Sequence, residues 1–265
     1  MGTANMLLGA AGPFLFITTV SANQTDYNLY NAMIAAGWDG QKAVNVNLTI
    51  SGGVVFSASS NGVAAFTIAS IPANSSIYIT NNGFIVGRGG QGVGKGFPGN
   101  TDYNLTAPAS ANGGTAFSTT FAVSIDNLNG TIGGGGGGGG AGGSTSADCS
   151  CSSCGGVALV GMGPGGGGAG FGAAGNGYFW WKNNTQYYDL RTSSAGTATA
   201  AGAASETGGA GGGLGQAGST GNGASRCGYT NQSGPGTGGA AGACTNGNSP
   251  YITWVNTGTR LGALN

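Results

Sequence analysis

VSIDNLNGTIGGGGGGGGAGG (Val123–Gly143) ends in eight consecutive glycines, Gly133–Gly140, and opens a glycine-rich tract that runs almost to the C-terminus. Two readings of the run predict opposite things. As a flexible linker it behaves as random coil, because glycine loses more backbone entropy on ordering than any other residue. As an ordered extended helix of three residues per turn, it packs against similar segments as closely as bare backbone allows. Composition alone favours the linker. Against it stands an earlier stretch, IYITNNGFIVGRGGQGVGKGFPG (Ile77–Gly99), built on the same plan. Both copies run through a strand, an Asn-rich turn ending in Gly, a two-residue apolar hook and then glycines. The octaglycine is therefore the entry to the second half of the chain rather than a spacer.

Outward from that junction, the preceding segments alternate with period two. VNVNLTI (Val44–Ile50), VVFSAS, VAAFTI and SIYIT are separated by SGG, Asn61-Gly62 and the Pro72–Ser76 turn. Short strands about ten residues apart suit an all-β sandwich or stacked β layers. Thr, Asn and Ser on the second face suit solvent or a polar partner. Upstream, SANQTDYNLYNAMIAAGWDG carries the one convincing helix, with Thr25 or Asn23 as cap and Asp26 at the positive end of the dipole. Leu29, Tyr30, Met33 and Ile34 form its apolar stripe, Gly37 ends it, and Trp38 is expected to anchor the core. TDYNL occurs at Thr25–Leu29 and again at Thr101–Leu105, in dissimilar surroundings. MLLGAAGPFLFITTV (Met6–Val20) imitates a secretory apolar region, but no Lys or Arg precedes it, so uncleaved N-terminal structure is expected. Broken by Gly9, Gly12 and Pro13, it is too interrupted to span a bilayer.

Composition excludes several functions. With 61 glycines, 5% charged residues and no histidine, the chain cannot run histidine-dependent chemistry. Seven basic and seven acidic residues leave no basic patch for nucleic acid. Seven prolines and irregular glycine spacing rule out collagen. Asp148, Asp189 and Glu206 lie in separate loops with no motif around them, and no catalytic residue, cofactor or metal site is expected. CSCSSC (Cys149–Cys154) lacks paired CxxC spacing and any histidine to complete a metal site. One or two disulfides, for instance Cys227 with Cys244, or free thiols fit the five cysteines better. The division read from these patterns is 1–43, an N-terminal segment with a helix; 44–132, a short-strand β domain; and 133–265, a glycine-rich domain.

At NNGFIVGRGGQG, DNLNGTIGGGGGGGG and the closing SPYITWVNTGTRLG, the chain resembles glycine-rich bacteriophage tail-fibre and tail-tip adhesins, over most of its length from about Asn45. The resemblance implies a mainly β fold with one helix, followed by packed polyglycine II helices with few regular strands or α-helices. It implies a virion tail protein that binds a bacterial surface receptor, an outer-membrane protein or a glycan, non-covalently. Other virion tail proteins would be partners, in a homo-oligomer such as a trimer or as a single-copy tip. A purely structural virion part, such as a head fibre, collar or decoration protein, is the alternative, and an ice-binding lattice a third reading opposed by the bulky insertions. The residues available for contact interrupt the glycines: Phe179, Trp180, Trp181, Lys182, Tyr187, Tyr188 and Arg191 in one insertion, Arg226 and Tyr229 in another. Aromatics with arginine are the usual interface anchors, and aromatic faces stack on sugars. The competing reading has them covering the lattice edge.

Overall fold

The computed structural model describes residues 12–94, 109–143, 145–147, 158–160, 164–182, 186–205, 207–223, 234–246 and 249–265, of which 145–147, 158–160 and 176–191 are described by backbone alone. These residues form two compact units. The first takes the chain up to Arg88, then Gly114–Gly134 and Ala243–Asn265; the second takes Gly89–Gly113 and Gly135–Gly242. This division is not the linear one read from composition. The N-terminal segment, the short strands and the closing strand share one unit, because their strands pair with one another.

The first unit is a parallel β-solenoid, and each turn of chain lays one strand on each of three sheets. The first turn comprises β1 (Phe14–Val20), β2 (Gln24–Thr25), β3 (Tyr27–Asn28) and the helix α1 (Leu29–Ala35). The second comprises β4 (Val44–Ile50), β5 (Val55–Ser57) and β6 (Phe66–Ile68); the third, β7 (Ser76–Asn81), β8 (Phe84–Val86) and β9 (Phe117–Thr119). The fourth begins with β10 (Val123–Asp126) and β11 (Thr131–Gly133). The chain then makes β12 (Thr145–Ala147), β13 (Ala158–Val160), β14 (Asn176–Lys182) and β15 (Gln186–Thr192) in the second unit, and completes the turn with β16 (Thr245–Asn246). A last partial turn supplies β17 (Ile252–Asn256) and β18 (Thr259–Leu261). The sheets run β1-β4-β7-β10-β17, β18-β11-β8-β5-β2 and β16-β9-β6-β3, all pairings within them parallel. An antiparallel sandwich is therefore not the arrangement. Strand spacing alone does not distinguish a hairpin return from a coil that completes a circuit before pairing.

Alternation decides which residues fill the coil. In β4, Val44, Val46, Leu48 and Ile50 are buried while Asn45 and Asn47 are exposed. Leu48, Ile79, Ile125 and Trp254 follow one another in register through the first sheet. On the third sheet Tyr27, Phe66 and Phe117 stack, with ring centroids 5.0 and 5.2 Å apart. Burial of Tyr27 among them pushes its phenol up to about 12.

The two copies of the strand-turn-glycine plan are neighbouring turns of the solenoid. Ile79 pairs with Ile125, and Ile85 with Ile132. Their Asn-rich turns are a buried corner. Asn81 donates from Nδ2 to Asn127 Oδ1 (2.7 Å), and Asn127 donates from Nδ2 to the carbonyls of Thr257 (3.0 Å) and Thr259 (3.1 Å). Gly130 packs so closely there that a Cβ would strike the Asn81 amide.

FLFITTV, which imitates a secretory region, is β1, held in register along β4; residues 1–11 lie outside the described set. Helix α1 is capped by Asn28, whose Oδ1 accepts from the Asn31 amide at 3.1 Å, and not by Thr25 or Asn23. Thr25 is taken by β2, and Asp26 (φ 52°) turns its carboxylate to the Ser59 amide. Leu29 and Met33 are buried, Ile34 is exposed, and Gly37 follows at φ 94°. Trp38 is buried as expected, donating from Nε1 to the Lys42 carbonyl at 2.9 Å. Among the described residues no helix is long and apolar enough to cross a membrane.

The second unit consists largely of extended glycine-rich segments, and the octaglycine lies at its centre. Gly136 and Gly139 donate to the carbonyls of Ala169 and Gly166, Gly137 and Gly140 to those of Gln216 and Ser219, and Gly138 to that of Ala111. In return, the carbonyls of Gly136 and Gly139 accept from Gly90 and Val93, those of Gly137 and Gly140 from Gly212 and Gly209, and those of Gly138 and Ala141 from Gly239 and Gly236. Donors and acceptors thus recur every third residue, each set facing one neighbouring segment. A Cβ at Gly136, Gly137, Gly138, Gly139 or Gly140 would run into a neighbouring carbonyl oxygen. The linker reading fails on these bonds, since every peptide from Gly136 to Gly140 is paired on both sides.

Candidate functional site

Within the second unit, turns and breaks sort to opposite ends of the glycine segments. At one end the chain doubles back through Gly170–Gly172, Thr197–Ala200 and Gly213–Gln216, where Gly172 donates to Gly168, Thr197 to Ala200 and Gln216 to Gly213. Gly89 bonds to Gly170 in this layer, and Gly113 to Ala240. At the other end, Val93 donates to Gly139, Gly165 to Val93, Ser205 to Pro164, Gly143 to Asn222, Asn222 to Thr207 and Gly221 to Gly236. The chain leaves and re-enters this second layer at 94 and 109, 143 and 164, 175 and 193, 205 and 207, and 223 and 234. These ten positions therefore lie at one end, opposite the low-glycine Thr197–Ala200 turn.

The interruption between 175 and 193 is the β14–β15 hairpin, antiparallel in register Gly177↔Arg191, Phe179↔Asp189, Trp180↔Tyr188, Trp181↔Tyr187 and Lys182↔Gln186. YFWW and QYYDLRT have the aromatic character of strands, a signal that would have found the hairpin where the sequence reading gave only an insertion. Alternation puts Trp180 and Tyr188 at positions on one face and Phe179, Trp181 and Tyr187 on the other. Phe179, Trp180, Trp181, Lys182, Tyr187, Tyr188 and Arg191 are thus all on one two-stranded element. Its base is clasped by Ser193: the hydroxyl donates to the Gly165 carbonyl at 2.6 Å, lies 3.0 Å from the Gly175 carbonyl, and accepts from the Gly175 amide at 2.9 Å. The β12–β13 hairpin, antiparallel in register Ser146↔Leu159, brings β13 beside β14.

Arg226, Tyr229, Cys227, the CSCSSC cluster and the second TDYNL lie outside the described residues. Cys244 is a buried free thiol whose Sγ donates to the Ile132 carbonyl at 3.3 Å. Burial pushes it up to about 11, against smaller opposing effects of the Leu261 backbone and the Arg260 charge. Among the described residues no cluster of three or more His, Cys, Asp or Glu side chains is placed to hold a metal ion.

A family model described as phage tail fibre adhesin Gp38 matches residues 15–265. The chain belongs to that family. The adhesin is thus a protein of the phage tail, and of the two readings of its sequence, tail adhesin and structural part such as a head fibre, the match supports the first. Its fold is similar to a chain in the crystal structure of the gp37-gp38 adhesin tip complex of the bacteriophage S16 long tail fiber. The TM-score is 0.57 and the identity 24%, over 95% of this chain and 83% of that one. A search of the curated proteins returned no match.

Proposed function

We propose that the adhesin binds a host surface receptor, an outer-membrane protein or a glycan, non-covalently and through the loop end of its glycine unit. The observation that carries this reading is that the described residues at 94, 109, 143, 164, 175, 193, 205, 207, 223 and 234 meet at one end, the base of the aromatic and cationic β14–β15 hairpin among them. Phe179, Trp180, Trp181, Lys182, Tyr187, Tyr188 and Arg191 are the contact residues of this proposal, with Arg226 and Tyr229 of the second insertion. Aromatic and arginine side chains concentrate binding energy, since they bury large areas at low entropic cost.

The glycine segments are, in this reading, polyglycine II helices that act as a rigid mount. The three-residue recurrence of donors and acceptors supports it, as does the lack of room for a Cβ from Gly136 to Gly140. Because one chain supplies both partners of these bonds, the lattice does not need a trimer, and a single-copy tip is the simpler assembly. The gp38 of the matched complex sits with gp37, and by the same arrangement a tail-fibre protein would carry this adhesin. The test is adsorption competition with purified protein. The intact adhesin should block phage attachment, and the double variant Trp180→Ala, Trp181→Ala should lose at least about tenfold in potency, equivalent to roughly 1.4 kcal/mol. Equal blocking by the double variant, with an unchanged melting profile, would refute the assignment of the hairpin.

A further inference from the structure

We infer that the solenoid unit carries a second binding site, for a neutral saccharide, in a cleft on the outer face of its third sheet. The cleft measures about 280 Å3 and is lined by Thr67, Thr115, Ser118 and Asn246 together with the Asn61–Ala64 turn. All of these residues belong to the first unit.

Three observations build the site. Thr67 pairs with Ser118 and Ser118 with Asn246 in the parallel ladder, so three polar side chains stand in one row across the strands. Adjacent members are roughly 4.8 Å apart, close to the advance of one pyranose ring along an extended glycan. None of Thr67, Thr115, Ser118 and Asn246 spends its side chain on a hydrogen bond to another described residue, so their donors and acceptors face the cleft uncommitted. Beneath the row, Tyr27, Phe66 and Phe117 stack inside the coil and hold the strands that carry it. The row is therefore set before a ligand arrives, which lowers the entropic cost of binding.

The wall has its own cause. Gly114, just ahead of β9, lies so close to Asn61 that a Cβ would sit 3.0 Å from the Asn61 Cα. A glycine there lets the turn lean against the segment before β9 and close one side of what would otherwise be an open sheet face.

The chemistry of the lining selects the ligand. Hydroxyl and amide groups with Val63 and Ala64 beside them match the hydroxyls and short apolar faces of a sugar. No Lys or Arg lines the cleft, so a phosphate or a uronate finds no counter-charge. A peptide strand is poorly served, because the cleft opens on the face of the sheet, where side chains rather than backbone groups are presented. The site would give the adhesin a weak hold on cell-surface polysaccharide, whatever receptor the loop end takes.

The test is NMR titration of the full-length labelled protein with maltohexaose, cellohexaose and chitohexaose, and with an acidic oligogalacturonate as comparison. At least one neutral hexasaccharide should shift the amides of Thr67, Ser118 and Asn246, with a Kd on the order of 1 mM. Ser118→Tyr, which fills the cleft from an outward position, should weaken binding at least about tenfold, and the near-isosteric Thr67→Val should weaken it measurably. The Trp180→Ala, Trp181→Ala variant should bind the sugar as before, which separates this site from the loop end. No shift with any neutral hexasaccharide, equal affinity for the oligogalacturonate, or undiminished binding by both cleft variants would overturn the inference.

Discussion

Replacing Gly138 with alanine adds one methyl group to the centre of the glycine unit, and the structure says what it meets. The new Cβ would collide with the carbonyl of Gln91 and lie 2.9 Å from the Gly92 nitrogen, both backbone atoms. The segment carrying them cannot swing away freely: Gly90 donates to Gly136 (2.7 Å), Gly92 to Ala173 (3.0 Å) and Val93 to Gly139 (3.2 Å). Gly138 is equally fixed, its amide bonded to Ala111 (2.9 Å) and its carbonyl accepting from Gly239 (2.8 Å) and Ser110 Oγ (2.7 Å). Relief must break or stretch at least one buried bond, costing about 1–3 kcal/mol for the groups left unpaired. Overpacking adds about 1–3 kcal/mol, and the smaller entropy of the unfolded alanine chain returns about 0.4–1 kcal/mol. The net loss is about 1–6 kcal/mol; a value of about 3 kcal/mol lowers the melting temperature of a protein this size by about 6–12 °C. Gly234→Ala is the control, since a Cβ there meets nothing within 4 Å; it should be neutral or slightly stabilising. Calorimetry of both variants decides the matter. A Gly138→Ala melt within about 0.5 kcal/mol of the parent, or one indistinguishable from Gly234→Ala, would refute the close-packed reading of the octaglycine.

Other expectations follow from the solenoid. Asn127→Ala orphans the carbonyls of Thr257 and Thr259 and the Asn81 amide, and should cost about 2–4 kcal/mol in urea unfolding; an unchanged midpoint would mean that the corner does not hold the turns together. Cys244, with its thiol pushed up from 9.0 to about 11, is protonated in the folded state over the physiological range. About one molecule in a thousand is thiolate at pH 8, so mass mapping should find Cys244 unalkylated by iodoacetamide until the protein is denatured. The same shift has a sign for stability. A group whose folded value is raised contributes fully below its unfolded value and loses that contribution as pH rises through the folded one. Stability should therefore fall between about pH 9 and 11 through Cys244, and between about pH 10 and 12 through Tyr27. Cys244→Ala should remove the first part of that decline in thermal melts recorded against pH.

The repeated junction was the most legible feature of the sequence because a solenoid writes its turns into the chain as near-copies. Ile79 and Ile125 were matched by pattern before they were matched by register. What concealed the solenoid is where its third sheet sits. Phe117–Thr119 and Thr245–Asn246 close the third and fourth turns only after excursions of unequal length through the glycine unit. A linear search meets two strands of each of these turns and loses the third. Asn28 does not stand out as helix cap because TDYNL offers several candidates, and the pairing of Tyr27 with Phe66, not the cap itself, decides where the chain leaves the sheet. For the candidate site, the residue types were legible and their convergence was not. Spacing along the chain does not tell that 94, 143, 175, 205 and 223 end at one level, because glycine carries no pattern by which to count turns.

That absence of pattern raises a question the octaglycine cannot answer by itself. A strand with one apolar face is held in register by that face, since a slip of one residue turns every side chain over. Eight identical residues have no such penalty: a slip exchanges one glycine for another and restores the same bonds after three. The information must come from outside the run. In the solenoid, Thr131, Ile132 and Gly133 pair with Phe84, Ile85 and Val86, a register specified by Ile85 and Ile132 buried in the coil. In the glycine unit, the segments that continue from these strands begin with Gly90 donating to Gly136. On the return side, Phe117 pairs with Thr245, and Gly113 and Gly242 just ahead of them donate to Ala240 and Gly135. Each glycine segment that enters or leaves the unit is thus tied, a few residues away, to a strand whose side chains admit one alignment. The segments inside the run are set by turns that do carry identity, such as Gly170 at φ 89° followed by Phe171 at φ 64°. The strands of the solenoid thus supply, through the continuity of the chain, the alignment that a featureless sequence lacks.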